Sequence, residues 1–186
     1  MDGQVSLTVI RPACADDAPV IAEIRARSWR AAYAGVIPGD ILAAATSPES
    51  VALRAEAIRR RGGTGIIIAE SGEHRAIGFT NFGPERGSDR RQGPAPSPGD
   101  EQVRGELYAI YVLPECWSTG VGRALMDSVL AEARRAGYAC ISLGVLRDNP
   151  RARRFYERAG FSPSGDAVVL GDLGGVIEIR YQQRLR

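Results

Sequence analysis

Apolar residues recur along the chain with two different periods, and the switches between them mark out the elements. Residues 6–11 (SLTVIR) read as a first strand. Val20, Ile21, Ile24, Ser28 and Ala31 then fall at helical spacing, behind Asp16 or Asp17 as a cap and ahead of Gly35 as a stop. Ser47-Pro48 opens a second helix, with proline at the first position, where its missing N–H costs nothing. That helix runs to the arginines at 59–61, which suit a helix C-terminus, and Gly62-Gly63 break it. GIIIAE (65–70) and AIGFTNFG (76–83) are strands joined by a polar turn, a hairpin signal.

Residues 84–105 carry Pro, Gly, Ser and charge with almost no apolar residue, so they read as a mobile loop, either a functional lid or disordered. ELYAIYVL (106–113) is a nearly continuous apolar strand, the pattern of burial on both faces. Residues 120–136 follow as a helix, with Val121, Leu125, Met126, Val129, Leu130 and Ala133 on one stripe and Gly137 as the stop. ACISLGV (139–145) is the next strand. Strand, helix and strand in this order imply a right-handed crossover and parallel neighbours. Asn149-Pro150 opens a last helix that ends at Gly160, and AVVL (167–170) and VIEIRY (176–181) close the chain as strands. The fold class is therefore α/β (α+β): a mixed central sheet of about six or seven strands with helices on both faces. No linker or repeat divides residues 1–186, which read as a single domain.

Composition narrows the chemistry. The formal charge of +2 argues against a dedicated nucleic-acid binder. All 24 basic residues are arginine, which excludes a Walker lysine, a Schiff-base lysine and a lysine general base. Cys14, Cys116 and Cys140 form no close pair, and His74 is the only histidine, so neither a disulfide scaffold nor a metal site is expected. No secretory signal and no membrane-spanning apolar run is visible, which favours a soluble, cytoplasmic protein without a membrane partner.

The stretch PECWSTGVGRALM (114–126) joins the apolar strand to its helix. Ser118 or Thr119 can cap the helix, Gly120 and Gly122 remove side chains, and Arg123 adds charge to the positive end of the helix dipole. Such a turn is either an anion site, most simply for phosphate or pyrophosphate, or an ordinary helix start packed tightly on a strand. Spacing rejects two common phosphate loops. GxxxxGK[ST] has no lysine available, and GxGxxG would need glycine where Leu125 stands and an acidic residue where Val145 and Leu146 end the next strand.

Taken together, ELYAIYV, WSTGVG, RALMDSVLAEARRAG, CISLGV and DNPRARRFYERAGF resemble the GCN5-related N-acetyltransferase (GNAT) family. Its pattern is a strand, then [Q/R]-x-x-G-x-[G/A] opening a helix, then a strand and N-x-x-A-x-x-F-Y-x-x-x-G-F. The last part is met in full by Asn149, Ala152, Phe155, Tyr156, Gly160 and Phe161, and SWRAAYAGVIP (28–38) is similar to a stretch common in the family. The resemblance implies acetyl-CoA as cofactor, a sheet splayed at the cofactor cleft, and an amine of a small molecule or a peptide N-terminus as acceptor. On this likeness the backbone of Trp117, Ser118, Thr119, Gly120, Val121, Gly122 and Arg123 would bind the CoA pyrophosphate. Ile110, Tyr111 and Val112 would pair with pantetheine as an added strand. Asn149 would bond the pantetheine arm, Ala152 and Phe155 would shape the channel, and Tyr156 would stand near the sulfur. Trp117 departs from the family, occupying the place of Gln or Arg.

Thioester aminolysis needs a neutral amine, a stabilised oxyanion and a proton for the thiolate. A backbone N–H of Ile110 or Tyr111 would polarise the carbonyl, and Tyr156 would donate the proton. Glu106 is the first choice of base, directly or through water, against the bland reading of a solvated strand-end carboxylate. Trp29 and Tyr33, four apart on one helix, are either packing residues or an aromatic wall of the acceptor site, and Asn81 and Tyr108 are further substrate candidates. A CoA-binding sensor without turnover is the rival reading, and the C-terminal strands offer a surface for a homodimer.

Overall fold

The computed structural model describes residues 8–63, 65–86 and 103–185. Seven strands form one sheet in the order β1-β2-β3-β4-β5-β7-β6. They are β1 (Val9–Pro12), β2 (Ile66–Glu70), β3 (Ala76–Pro84), β4 (Arg104–Val112), β5 (Cys140–Leu146), β6 (Ser162–Leu170) and β7 (Val176–Arg184). The helices are α1 (Ala18–Tyr33), α2 (Gly39–Ala45), α3 (Pro48–Arg60), α4 (Val121–Arg135) and α5 (Pro150–Arg158). All neighbours are antiparallel except β4 and β5, the pair joined through α4. Helices cover both faces of the sheet.

The stripe read along α4 is the one that is buried: Val121, Leu125, Met126, Val129, Leu130 and Ala133 all lie in the main core with Ile21 and Ile24 of α1. Gly78 on β3 lets this helix approach, since a methyl group there would touch Leu125 and Val112 at 3.2 Å.

Four features depart from the sequence reading. The seven-residue α2 was not expected, because it is too short to nucleate on propensity and is held by burying Leu42 beside Ile37 and Leu146. β6 begins five residues earlier than AVVL, at Ser162, with its register to β7 shifted between Pro163 and Ala167, where Pro163 and Gly165 hide the alternation. β7 runs on to Arg184, and β3 and β4 extend to Pro84 and Arg104, inside the stretch read as loop. Residues 87–102 of that stretch, and residues 6 and 7 of the first strand, lie outside the described residues.

Asp17 stands at the start of α1 yet makes no side-chain cap of that helix. Its carboxylate accepts instead from the Cys14 N–H at 2.8 Å and from both terminal nitrogens of Arg11 at 2.8 Å, while Arg11 also reaches Glu70 at 2.7 Å. The Arg11 guanidinium holds this carboxyl down to about 2 from an ordinary 3.8. The stabilisation is therefore present above pH ~4 and lost as pH falls through about 2. Asp17→Asn is expected to lower the unfolding free energy at pH 7 by about 1–2 kcal/mol, allowing for the partial exposure of Arg11. The gap between the urea midpoints of the two proteins should close as the pH is taken from 5 toward about 2.

Candidate active site

β4 and β5 pair only at their beginnings, from Arg104 with Cys140 to Leu107 with Leu143. Beyond that point β5 continues against β7 as far as Leu146 with Glu178, and β4 continues against β3 as far as Val112 with Gly78. The sheet therefore forks, leaving residues 108–112 of β4 unpaired on their β5 side. The cause is local. On β3, Asn81 faces Ala109 while the next residue, Phe82, faces Leu107, so Tyr108 is an extra residue on β4. A bulge of this kind bends its strand and strengthens the local twist.

The turn into α4 lies at the far end of that unpaired edge. Gly120 is the N-cap with φ 96°, Ser118 two residues earlier also has positive φ, and no side chain caps the helix. The expected Ser118 or Thr119 cap is thus absent: Thr119 donates its hydroxyl to the Cys116 carbonyl at 2.7 Å. The first bond back into the turn runs from the Ala124 N–H to the Gly120 carbonyl, so the amides of residues 120–123 have no acceptor among the described residues. A side chain built on Gly120 would meet nothing within 4 Å, so the cradle opens outward. Gly122 instead lies against Phe155, whose ring is 3.4 Å from where a methyl would stand, which ties α5 to the first turn of α4. The exposed Arg123 leans on Asp127 at 3.6 Å.

Trp117, the residue without a family counterpart, is a structural member of the turn. Its indole N–H donates to the Val112 carbonyl at 2.7 Å, and Arg151 of α5 stacks 3.9 Å from the ring centroid. Its own amide N–H is taken by the Pro114 carbonyl at 3.2 Å. Trp117 therefore adds no amide to the cradle, which begins after it. The Val112 carbonyl is engaged twice, since Ser28 also donates to it at 3.0 Å. Open backbone on the β5 side is thus best offered by Ile110, because Tyr111, like Leu113, which donates to the Ile77 carbonyl, turns its backbone to β3; the expectation that Tyr111 also pairs there is corrected by this register.

Asn149 caps α5, its side-chain oxygen accepting from the Ala152 N–H at 3.0 Å. Ala152 and Phe155 are partly buried against the main core. Tyr156 is 9 % exposed and sits edge-on to both Phe155 and Phe161. Burial pushes its phenol well above 10, and the neighbouring Tyr111 and Glu178 push in the same direction. Tyr111 and Glu178 come from the two arms of the fork.

The aromatic residues at the end of α1 join the same site. Trp29 and Tyr33 are 5.2 Å apart, edge to face. The Trp29 indole donates to the Tyr111 hydroxyl at 2.8 Å, and Arg25 stacks 3.8 Å above the Trp29 ring. Tyr33, partly buried, has its phenol raised well above 10 by desolvation and then by Tyr111 and Tyr156. Burial also lowers Arg25 to about 10. Both rings pack in the apolar cluster of Ile37, Leu42 and Leu146, and Trp29 is tied to Tyr111 at the fork.

Glu106 and Tyr108 occupy the other end of β4. Glu106 is 1 % exposed, not a solvated strand end, and accepts from the Arg86 backbone N–H at 3.1 Å and from the Arg86 guanidinium at 3.1 Å. Tyr108 lies over Gly83, donates to the Pro84 carbonyl and carries Arg86 4.1 Å above its ring. Asn81 turns toward Gly65, its side-chain oxygen 3.6 Å from where a methyl there would stand. These three therefore surround the bulge, while Trp29, Tyr33, Tyr111 and Tyr156 surround the fork. The residue that sequence reasoning missed is Glu178, whose approach to the fork depends on the pairing of β7 with β5.

A forked sheet with an uncapped helix start beside it defines an acyltransferase of the kind that grips a coenzyme A thioester between strands. The chain belongs to the acetyltransferase (GNAT) family, whose pattern matches residues 22–161, and its cofactor is acetyl-CoA. It is 29 % identical over 170 residues to the N-acetyltransferase YuaI of Bacillus subtilis, covering 91 % of this chain and 88 % of that one. A mycothiol acetyltransferase of Propionibacterium freudenreichii is 33 % identical over 135 residues, 68 % of this chain but 37 % of the relative, so the likeness covers well under half of that protein. The fold is that of the PaiA N-acetyltransferase from Thermoplasma acidophilum solved with coenzyme A, with a TM-score of 0.68, 18 % identity and coverage of 96 % and 99 % of the two chains. Among the described residues no group of His, Cys, Asp and Glu could hold a metal ion, and no helix is long and apolar enough to cross a membrane.

Proposed function

We propose that the protein transfers an acetyl group to a primary amine of a small molecule or peptide N-terminus by direct attack within a ternary complex. The observation that carries this reading is the fork itself: a strand edge left unpaired by the Tyr108 bulge, ending at amides that no side chain caps. The amides of residues 118–123, gathered by the left-handed Ser118 and Gly120, suit a pyrophosphate. Ile110 offers backbone to the pantetheine arm, and Asn149, Ala152 and Phe155 border it. Bound acetyl-CoA supplies an activated acetyl thioester, which the acceptor nitrogen attacks. The backbone N–H of Ile110 stabilises the charge that develops on the carbonyl oxygen. Tyr156, kept protonated by its burial, returns a proton to the departing sulfur. Trp29 and Tyr33 bound the acceptor side. Glu106, clamped by Arg86, serves the bulge more directly than the reacting nitrogen.

The test is release of free CoA thiol from acetyl-CoA with a panel of amines and peptides. Release should require both protein and amine, and acetyl-CoA should raise the melting temperature where NAD and ATP do not. A thermal shift with no release for any acceptor would make the chain a CoA-binding module and overturn the reading.

A further inference from the structure

Glu178 belongs to the fork although it lies two strands from the bulge on β4. In the register of the sheet it pairs with Leu146 of β5 and Val168 of β6. Side chains alternate along a strand, so Glu178, Arg180 and Gln182 share one face of β7, over Ser142, Gly144 and Leu146 of β5. The hydrogen bond from Arg180 to Ser142 marks that face. Leu146 on it belongs to the apolar cluster that Trp29 and Tyr33 join, so Glu178 shares a face with that cluster.

The carboxylate of Glu178 does not lie over its own partner. It reaches diagonally across Gly144, and a methyl group built there would overlap the carboxyl carbon and both oxygens. Gly144 is the first residue of β5 beyond the last β4–β5 pair, Leu107 with Leu143. The missing side chain at Gly144 is therefore what admits a carboxylate to the closed end of the fork. Its charge is felt by the Tyr156 phenol, after burial and Tyr111. Arg180, on the same face, is directed to Glu85 and Ser142.

We infer that Glu178, admitted over Gly144, is the acceptor-side carboxylate of the enzyme: it draws the ammonium form of the acceptor to the fork and accepts the proton that the nitrogen gives up. One N–H bond of the acceptor breaks and an O–H bond forms at Glu178, directly or through one water, and the nitrogen's electron pair is released for attack on the acetyl carbonyl. The inference rests on the acetyl-transfer reading above. It separates two carboxylates that composition cannot rank, giving Glu106 to the bulge and Glu178 to the chemistry.

The experiment compares Glu178→Gln with the wild type, using the best amine of the panel and hydroxylamine, a nucleophile that carries no charge at neutral pH. A carboxylate that attracts and deprotonates an ammonium matters for the first acceptor and little for the second. The ratio of amine to hydroxylamine turnover should fall at least about tenfold in Glu178→Gln. Gly144→Ala, which displaces the carboxylate without removing it, should lower the same ratio. A soluble Glu178→Gln protein with an unchanged ratio, or one that loses both acceptors equally, overturns the inference. Absence of CoA release by the wild type with every amine would instead defeat the acetyl-transfer reading on which it stands.

Discussion

Tyr156→Phe is expected to turn over roughly ten- to a hundredfold more slowly than the wild type, with KM for acetyl-CoA little changed. The substitution keeps the ring, and with it the edge-on contacts to Phe155 and Phe161, and removes only the hydroxyl. The effect should thus appear in kcat, as it does when a group acts after binding. The pH dependence has a definite sign. Burial, then Tyr111 and Glu178, raise the phenol above its ordinary 10, so its ionisation cannot depress the rate at or below pH ~10. The same shift is a stability statement: the contribution is fully present below pH ~10 and is lost as pH climbs from there through the higher folded value. A rate unaffected by Tyr156→Phe, measured by CoA release under saturating acceptor, would remove the phenol from the mechanism.

The second large effect is expected at the cradle. Gly120 has φ 96°, a conformation that costs an ordinary residue about 1–2 kcal/mol and a β-branched one more. Nothing surrounds the position a side chain would take, so Gly120→Val creates no clash within the fold. Its consequences fall on the ligand: the valine either stands in the mouth of the cradle or forces the turn to rotate the amides of residues 120–123 away from their common focus. Affinity for CoA, measured by calorimetry, should weaken about ten- to a hundredfold, equivalent to about 1.4–2.7 kcal/mol. The melting temperature of the free protein should fall by only a few degrees, about 2–4 °C for each kcal/mol of strain in a chain of this size. Undiminished affinity would show that CoA does not use this turn.

What the sequence disclosed and what it withheld divide along a physical line. The α4 stripe, the Asn149 cap and the Phe155–Tyr156 pair were legible because each depends on spacing within one element. The bulge at Tyr108 was not, since it is a relation between two strands: no residue in ELYAIYV announces that Asn81 and Phe82 will face Ala109 and Leu107. Glu178 was hidden for the same reason, as VIEIRY reads simply as an alternating strand until β7 is inserted between β5 and β6. Glu106 read as a strand-end carboxylate from its position in the sequence, and only its pairing with Ser142 of β5 and the return of Arg86 bury it. Trp117 was the reverse case, conspicuous in sequence and explained by a short-range bond back to Val112.

The fork also changes what kind of object the sheet is. Strands β1 to β4 form one plate and β5 to β7 another, and among the described residues four pairs, from Arg104 with Cys140 to Leu107 with Leu143, make up the paired seam between them. A ligand lying along residues 110 and 111 would complete that seam from the open end, serving as an eighth, non-peptide strand. Such a strand would brace the two plates against each other, with Tyr111 on one and Glu178 on the other. In mechanical terms the sheet is two plates joined by one short hinge.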